Sequence, residues 1–435
     1  MTNPTTRISH LTNMNAITKK YSFWWDNSPP DFTFQPQLPT YSDIVIVGAG
    51  FAGVSTAYWL LRLAKKAKKK GLRILLIDEA PHAGFKATGR MNGSVYLGSN
   101  YSAEHMVTLL GEKTAEKLYS YSNQNNTLLQ ELIERGIDCD AEFNGGFRMA
   151  STAKEAVELD NSAEILNEWG YYPARFDHNQ SQHVMVVPYV KGSLFVPGEG
   201  MFDPFAFVNK LGRLLRRNGV WIVYGTRVSH ADTSPTYGPQ LHLANGHVLT
   251  AGKVVHTTVD TAPWDRIQKN IVCRREQVVR TDPLSVDLDD MPLPLMPVEL
   301  NGGLDSVRVH SRAIMMTGGK AGLKKDPELN VTNDTGFNER VLGQLDKTMM
   351  HNFPVTNHME VSHQWTYIET EMSDGLPVLG EIPDSNGHYV NIAHGRNKFG
   401  LAFLGAKNTA EKLLRIKMTD KNFNIFTPKR LIRGE

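Results

Sequence analysis

The sequence predicts an α/β fold in which a parallel sheet is joined to an interleaved α+β unit that carries an antiparallel sheet. Three observations predict it. The apolar run Ile44-Val45-Ile46-Val47 leads into Gly48-Ala49-Gly50-Phe51-Ala52-Gly53 and then into a helical pattern ending near Lys70. A second apolar run, Arg73-Ile74-Leu75-Leu76-Ile77, stops on Asp78-Glu79. From Val272 to Thr317 the chain changes to strand-like segments with an antiparallel look.

The first of these is strand, turn and helix. A phosphate pair has to approach the backbone closely at such a turn, which demands residues without a Cβ, and the helix start aims N–H groups and the positive dipole end at the anion. An acid at the end of the next strand accepts from ribose hydroxyls. The reading is a Rossmann-like dinucleotide site with Gly48, Ala49, Gly50, Phe51, Ala52 and Gly53 as the cradle and Asp78 and Glu79 at the ribose.

The remaining elements follow from where the periodicity changes. Residues 1–40, with Pro29-Pro30, Pro36 and Pro39, read as an irregular arm pinned by Tyr21, Phe23, Trp24 and Trp25. Ser102 to Gly136 reads as two helices, and Glu142 to Ala150 as a hairpin. Gly192 to Gly200 is expected to be a turn-rich loop. Asp203-Pro204 opens a helix stopped by Gly219, and the strand Val220–Tyr224 follows. Lys253 to Thr258 is a third candidate parallel strand.

Bulk properties narrow the function. At 435 residues the chain holds two or three domains at roughly 100–200 residues each. Lys and Arg total 47 against 45 for Asp and Glu, so no charge excess calls for nucleic acid or an acidic membrane surface. Cys139 and Cys273 lie far apart, which disfavours a disulfide framework, a zinc site or a dithiol centre, and no metal ligand set is expected. A reducing cytoplasm fits. The first twenty residues lack the apolar core of a secretory signal, and no run approaches the ~18 apolar residues of a membrane span.

Several motifs resemble the FAD-dependent family that includes glycine and D-amino-acid oxidases, sarcosine oxidases and gamma-glutamylputrescine oxidases. Ala87-Thr88-Gly89-Arg90-Met91-Asn92-Gly93 is similar to a stretch that in relatives lies beside the flavin, with Met91 where that pattern usually has Asn. Gly225-Thr226-Arg227-Val228 is similar to the segment laid along the adenine, which nominates Val228. Trp365, Asp374-Gly375-Leu376-Pro377-Val378-Leu379-Gly380 and His394-Gly395-Arg396-Asn397-Lys398-Phe399-Gly400 resemble the carboxyl end, although Thr366 replaces the usual Gly and the closing loop is one residue longer.

The resemblance implies non-covalent FAD, since neither cysteine falls in a cofactor-facing motif. It adds Thr88, Gly89, Arg90, Met91, Asn92, Gly380, Gly395, Arg396, Asn397, Lys398 and Gly400 as cofactor contacts. It also implies an FAD-binding domain over 41–105, 192–262 and 365–415, a substrate domain over 106–191 and 263–364, and a tail at 416–435. The expected reaction is oxidation of the C–N bond of an amine, amino acid or N-substituted amino acid, with oxygen or another acceptor taking the electrons.

A flavin performs the redox step, so the protein supplies orientation, a dry site and charge. Lys398 is the candidate cation at the ring or at a substrate carboxylate. Arg308 and His310, on one face of Val307–Ser311, and Trp365 are the other candidates for the substrate side, with Phe399 as a further aromatic wall. Two alternatives stay open. A flavin hydroxylase would carry a late Gly-Asp pair, which does not occur in the sequence. A non-catalytic FAD-binding assembly factor would tolerate the departures at Met91, Thr366 and 394–400.

Overall fold

The computed structural model describes residues 18–30, 37–184, 189–234, 236–284, 296–420 and 422–432. Parts of the predicted arm, the stretch 285–295 and the last residues of the tail lie outside them. Among the described residues no helix is long and apolar enough to cross a membrane.

The first sheet grows from the two apolar runs. Tyr41–Val47 pairs in parallel with Ile74–Ile77 on one side and Val248–His256 on the other. Trp221–Val223 and His388–Ile392 extend it, again in parallel, and Val378–Glu381 finishes one edge antiparallel. Successive side chains of a strand face opposite ways, and both faces of Tyr41–Val47 are covered. Ile44 and Ile46 pack with Phe51, Leu60, Phe207 and Phe403 from the helices Phe51–Lys66, Pro204–Arg217 and Lys398–Leu413. Val45 and Val47 pack with Leu75, Ile77, Leu241 and Leu249 beneath the hairpin Val228–Ser234 and Gly238–Leu243. Burial on both sides is why this strand reads as an unbroken apolar run.

The helices begin where their caps put them. Asp203 accepts from the N–H groups of Phe205 and Ala206 at 2.9 Å each, with Pro204 in the first turn. Ser102 caps Ala103–Leu110, and Gly111 separates it from Glu112–Glu134, giving the two helices expected over 102–136.

The second sheet has eight strands in the order Val361–Met372, Ile271–Thr281, Ala313–Gly318, Asp305–His310, Val298–Leu300, Gly146–Ala150, Gly192–Val196 and Ala174–Phe176. Neighbours are antiparallel except Val298–Leu300 beside Gly146–Ala150. Two expectations are corrected here. Gly192–Val196 is a strand rather than a loop, with Val196 opposite Gly146 and only Pro197 and Gly198 turning. The segment Glu142–Ala150 is no hairpin, because the partners of its strand come from 192–196 and 298–300. Gly192–Val196 and all of Val361–Met372 pair within the second sheet, so the expected boundary at 192 falls at the start of one of its strands and that at 365 falls inside another. Long-range pairing decides this, and local turn composition hides it.

The described part of the arm is anchored by Trp24, which is fully buried. Its indole N–H donates to the Met91 carbonyl at 2.8 Å, and the Arg308 guanidinium lies 4.8 Å from its ring centre. Ser22 donates to the Gly89 carbonyl at 2.7 Å. Trp24→Ala removes a filled core position, and chemical denaturation followed by circular dichroism is expected to show a loss of about 3–5 kcal/mol.

Candidate functional site

The turn after Tyr41–Val47 is shaped by two contacts. Gly48 has φ +106°, a conformation in which a side chain is strained. A Cβ on Gly53 would lie 1.8 Å from the Gly48 carbonyl oxygen, so the helix starts hard against the turn. The Ala49 N–H donates to Asp78, and the Phe51 N–H donates to Thr88 Oγ1 at 3.0 Å. Among the described residues the amides of Gly50 and Ala52 have no acceptor, and both residues line a cleft at the positive end of a helix with no acid in its first turn.

That cleft has a volume of about 430 Å³. Its wall joins Asp78, Glu79, Arg227 and Val228 to the glycine turn, to Thr257, Thr258 and Thr261, and to His394 and Lys398. Ile368, Thr370 and Cys273 come from the second sheet, so both sheets contribute.

Charge in the cleft is set by burial. Burial raises the Asp78 carboxyl to about 6 against the opposing N–H bonds of Ala49 and Ala80. Glu79 is exposed and faces Lys86 and Arg227 at 3.9 and 3.7 Å. The Lys398 ammonium has no hydrogen-bond acceptor among the described residues. Burial lowers its pKa to about 8, and the charge of Glu369 opposes that fall. Burial, helped by Lys398, lowers His394 to about 3, so the neutral ring donates through Nε2 to Asn391 Oδ1 at 2.8 Å. Glu369 is raised to about 7 by burial and by the charge of Glu276. Burial opposes the charge of Glu276 too, but Arg396 and Lys320 outweigh it and hold this carboxyl below its usual range.

A hydrogen-bonded chain leads out of the cleft. Thr258 Oγ1 lies 2.9 Å from Thr261 Oγ1, which lies 3.0 Å from His256 Nδ1. His256 Nε2 is 2.9 Å from His388 Nδ1, and His388 Nε2 is 3.1 Å from the Asp232 carbonyl oxygen. Burial lowers the pKa of both imidazoles.

A family model described as FAD dependent oxidoreductase matches residues 43–412. The chain belongs to this family. It is an FAD-dependent oxidoreductase, and the cleft fits the cofactor: close-packed glycines, orphan amides at a helix start and acids at the neighbouring strand end suit a dinucleotide. A probable oxidoreductase, OrdL, of Haemophilus influenzae is 25% identical over 93% of this chain and 90% of its own length. The fold is shared with solved structures. Glycine oxidase from Geobacillus kaustophilus superposes with TM-score 0.72 and 19% identity, covering 89% of this chain and 98% of that one. L-proline dehydrogenase from P. horikoshii gives 0.73 and 18%, covering 92% and 100%.

Of the residues nominated from the sequence, the structure brings Gly48, Gly50, Phe51, Ala52, Asp78, Glu79, Thr88, Val228 and Lys398 to the cleft wall. Others lie behind it. Arg90 pairs with Asp334 at 3.1 Å and donates to the carbonyls of Phe85 and Thr366. Met91 is core, Asn92 donates to Ser306 at 2.6 Å, and Gly89 packs against the Gly84 carbonyl. Gly380 sits against Phe423, and Gly400 against Asn397 and the Tyr96 carbonyl. Beside Gly395, Arg396 pairs with Glu276 at 3.1 Å, while Asn397 donates to the Gly98 carbonyl at 2.8 Å.

The substrate-side candidates separate in the same way. Trp365 is buried and donates to the Arg90 carbonyl at 2.7 Å. Arg308 is buried and donates to the carbonyls of Asn92 and Phe202 at 2.8 and 2.6 Å. His310 Nε2 pairs with Asp140 at 2.7 Å. None of the three lines the cleft, because each is engaged in joining the second sheet or its flank to the segment 90–92, 140 or 202. Reasoning from sequence missed Thr257, Thr258 and Thr261, whose signal was a run of hydroxyls directly behind a buried strand. It also set aside Cys273, which does line the cleft, with a thiol that burial pushes up.

Proposed function

We propose that this family member oxidises the C–N bond of an amine that also carries a carboxylate, yielding an imine that water converts to a carbonyl compound. Bound FAD supplies the two-electron acceptor for the hydride. The observation that carries the reading is the Lys398 ammonium, which opens on the cleft with no hydrogen-bond acceptor among the described residues. A substrate carboxylate supplies the missing partner, and a charge-assisted bond in a partly dry site orients the substrate.

The protein side of the reaction follows from the cleft. Gly50 and Ala52 would offer amides to the pyrophosphate, Glu79 would offer a carboxylate to the ribose, and Val228 would line the adenine end. The neutral His394 adds no second charge beside Lys398. An amine must lose its proton before hydride leaves its carbon, and the apolar wall at Ile368 and Ile392 favours the neutral form. The reading is consistent with the glycine oxidase and L-proline dehydrogenase that share the fold.

Anaerobic mixing of the FAD-loaded protein with amines, amino acids and N-methyl amino acids tests it. Bleaching of the flavin absorbance by carboxylate-bearing amines is the expected result. No bleaching by any member of that panel overturns the proposal, and reduction by a nicotinamide in its place would point to a hydroxylase.

A further inference from the structure

The hairpin that covers the first sheet carries a group of side chains with no part in the cleft. His230, Asp232 and His242 each offer one ligand atom, and these atoms lie within 4.8 Å of one another. Strand geometry puts them there. Residues two apart share a face, and His242 is paired directly opposite His230 in the antiparallel register. The two rings lie nearly parallel, 4.1 Å apart with planes at 7°, and His242 Nε2 is 3.0 Å from Asp232 Oδ2. His230 and Asp232 are exposed and His242 is half-buried, so an ion reaches all three from solvent.

We infer that His230, Asp232 and His242 form a surface site for a borderline divalent cation of the Zn²⁺ class. Two imidazole nitrogens and one carboxylate oxygen match the ligands that such ions take. Magnesium and calcium prefer oxygen ligands throughout and are poorly served by the imidazole pair. The sheet register holds the ligands before the ion arrives, so binding needs only side-chain adjustment. The remaining coordination positions belong to water, which leaves the affinity below that of a closed four-ligand site. Cross-linking two strands through a metal fixes the hairpin over Val45 and Val47, and binding to the folded state alone raises the melting temperature.

Titration of the full-length, FAD-loaded protein with Zn²⁺ by calorimetry tests this without reference to activity. The expected result is one site that weakens about 100-fold in the double variant His230→Gln with His242→Gln, and about 10-fold in Asp232→Asn. Anomalous diffraction from Zn²⁺-soaked wild-type crystals is expected to place the ion between the three side chains, which keeps the test independent of how the variants fold. No binding at millimolar Zn²⁺, an affinity unchanged in the double variant, or an anomalous peak only elsewhere would each overturn the assignment.

Discussion

Replacing Lys398 with methionine is expected to lower kcat/KM for a carboxylate-bearing amine by about 100-fold or more, because removing one partner of a desolvated charge pair costs about 2–5 kcal/mol. Steady-state kinetics should show the loss mainly in KM, with FAD retained by absorbance and with amines lacking a carboxylate little affected. The pH profile carries the same signature. Burial lowers Lys398 to about 8, so the side chain is an ammonium below that value and a neutral amine above it. In wild type, kcat/KM for the anionic substrate should fall as pH rises through about 8. Lys398→Met should lack that descending limb. An unchanged profile in the variant would remove Lys398 from the substrate site.

Gly53→Ala is expected to have the second large effect. Its methyl would start 1.8 Å from the Gly48 carbonyl oxygen and 3.1 Å from Thr257 Oγ1, so the helix must separate from the turn. Overpacking of this kind costs about 1–3 kcal/mol. Here the displaced parts are the orphan amides themselves, and FAD affinity measured by fluorescence quenching should fall about 100-fold. Gly343→Ala is the control. Its Cβ meets nothing within 4 Å in the helix Glu339–Asn352, and the change should leave affinity unaltered while stabilising slightly. Equal affinities in the two variants would show that the close approach at Gly53 does not shape the cradle.

The first sheet was legible because its information is local. Ile44–Val47, the glycine turn and Ile74–Ile77 each carry their own pattern, and the structure pairs them in the order the pattern demands. The second sheet was only partly legible. Arg148 finds Glu199 at 2.7 Å across fifty residues, and Arg308 finds carbonyls at Asn92 and Phe202. Nothing near Arg308 in sequence separates a cation that braces two segments from one that faces a substrate. Lys398 differs from it only in what lies opposite, and that is decided by the packing of Lys398–Leu413 against Phe51–Lys66. Cys273 shows the converse, since a residue outside every motif reaches the cleft because its strand runs along it.

The histidine pair beneath the hairpin reaches further than its packing. A carbonyl oxygen can only accept, so His388 Nε2 carries the hydrogen toward Asp232, and the neutral ring leaves Nδ1 bare. His256 must then point its Nε2 hydrogen at His388 and take one from Thr261, which in turn takes one from Thr258. Thr257 likewise spends its proton on the Val47 carbonyl. The floor of the nucleotide groove thus shows lone pairs and no hydrogens at these hydroxyls. Any part of a dinucleotide bound there would have to arrive as a donor, a sugar hydroxyl or an exocyclic amine, leaving the phosphates to the free amides at the helix start.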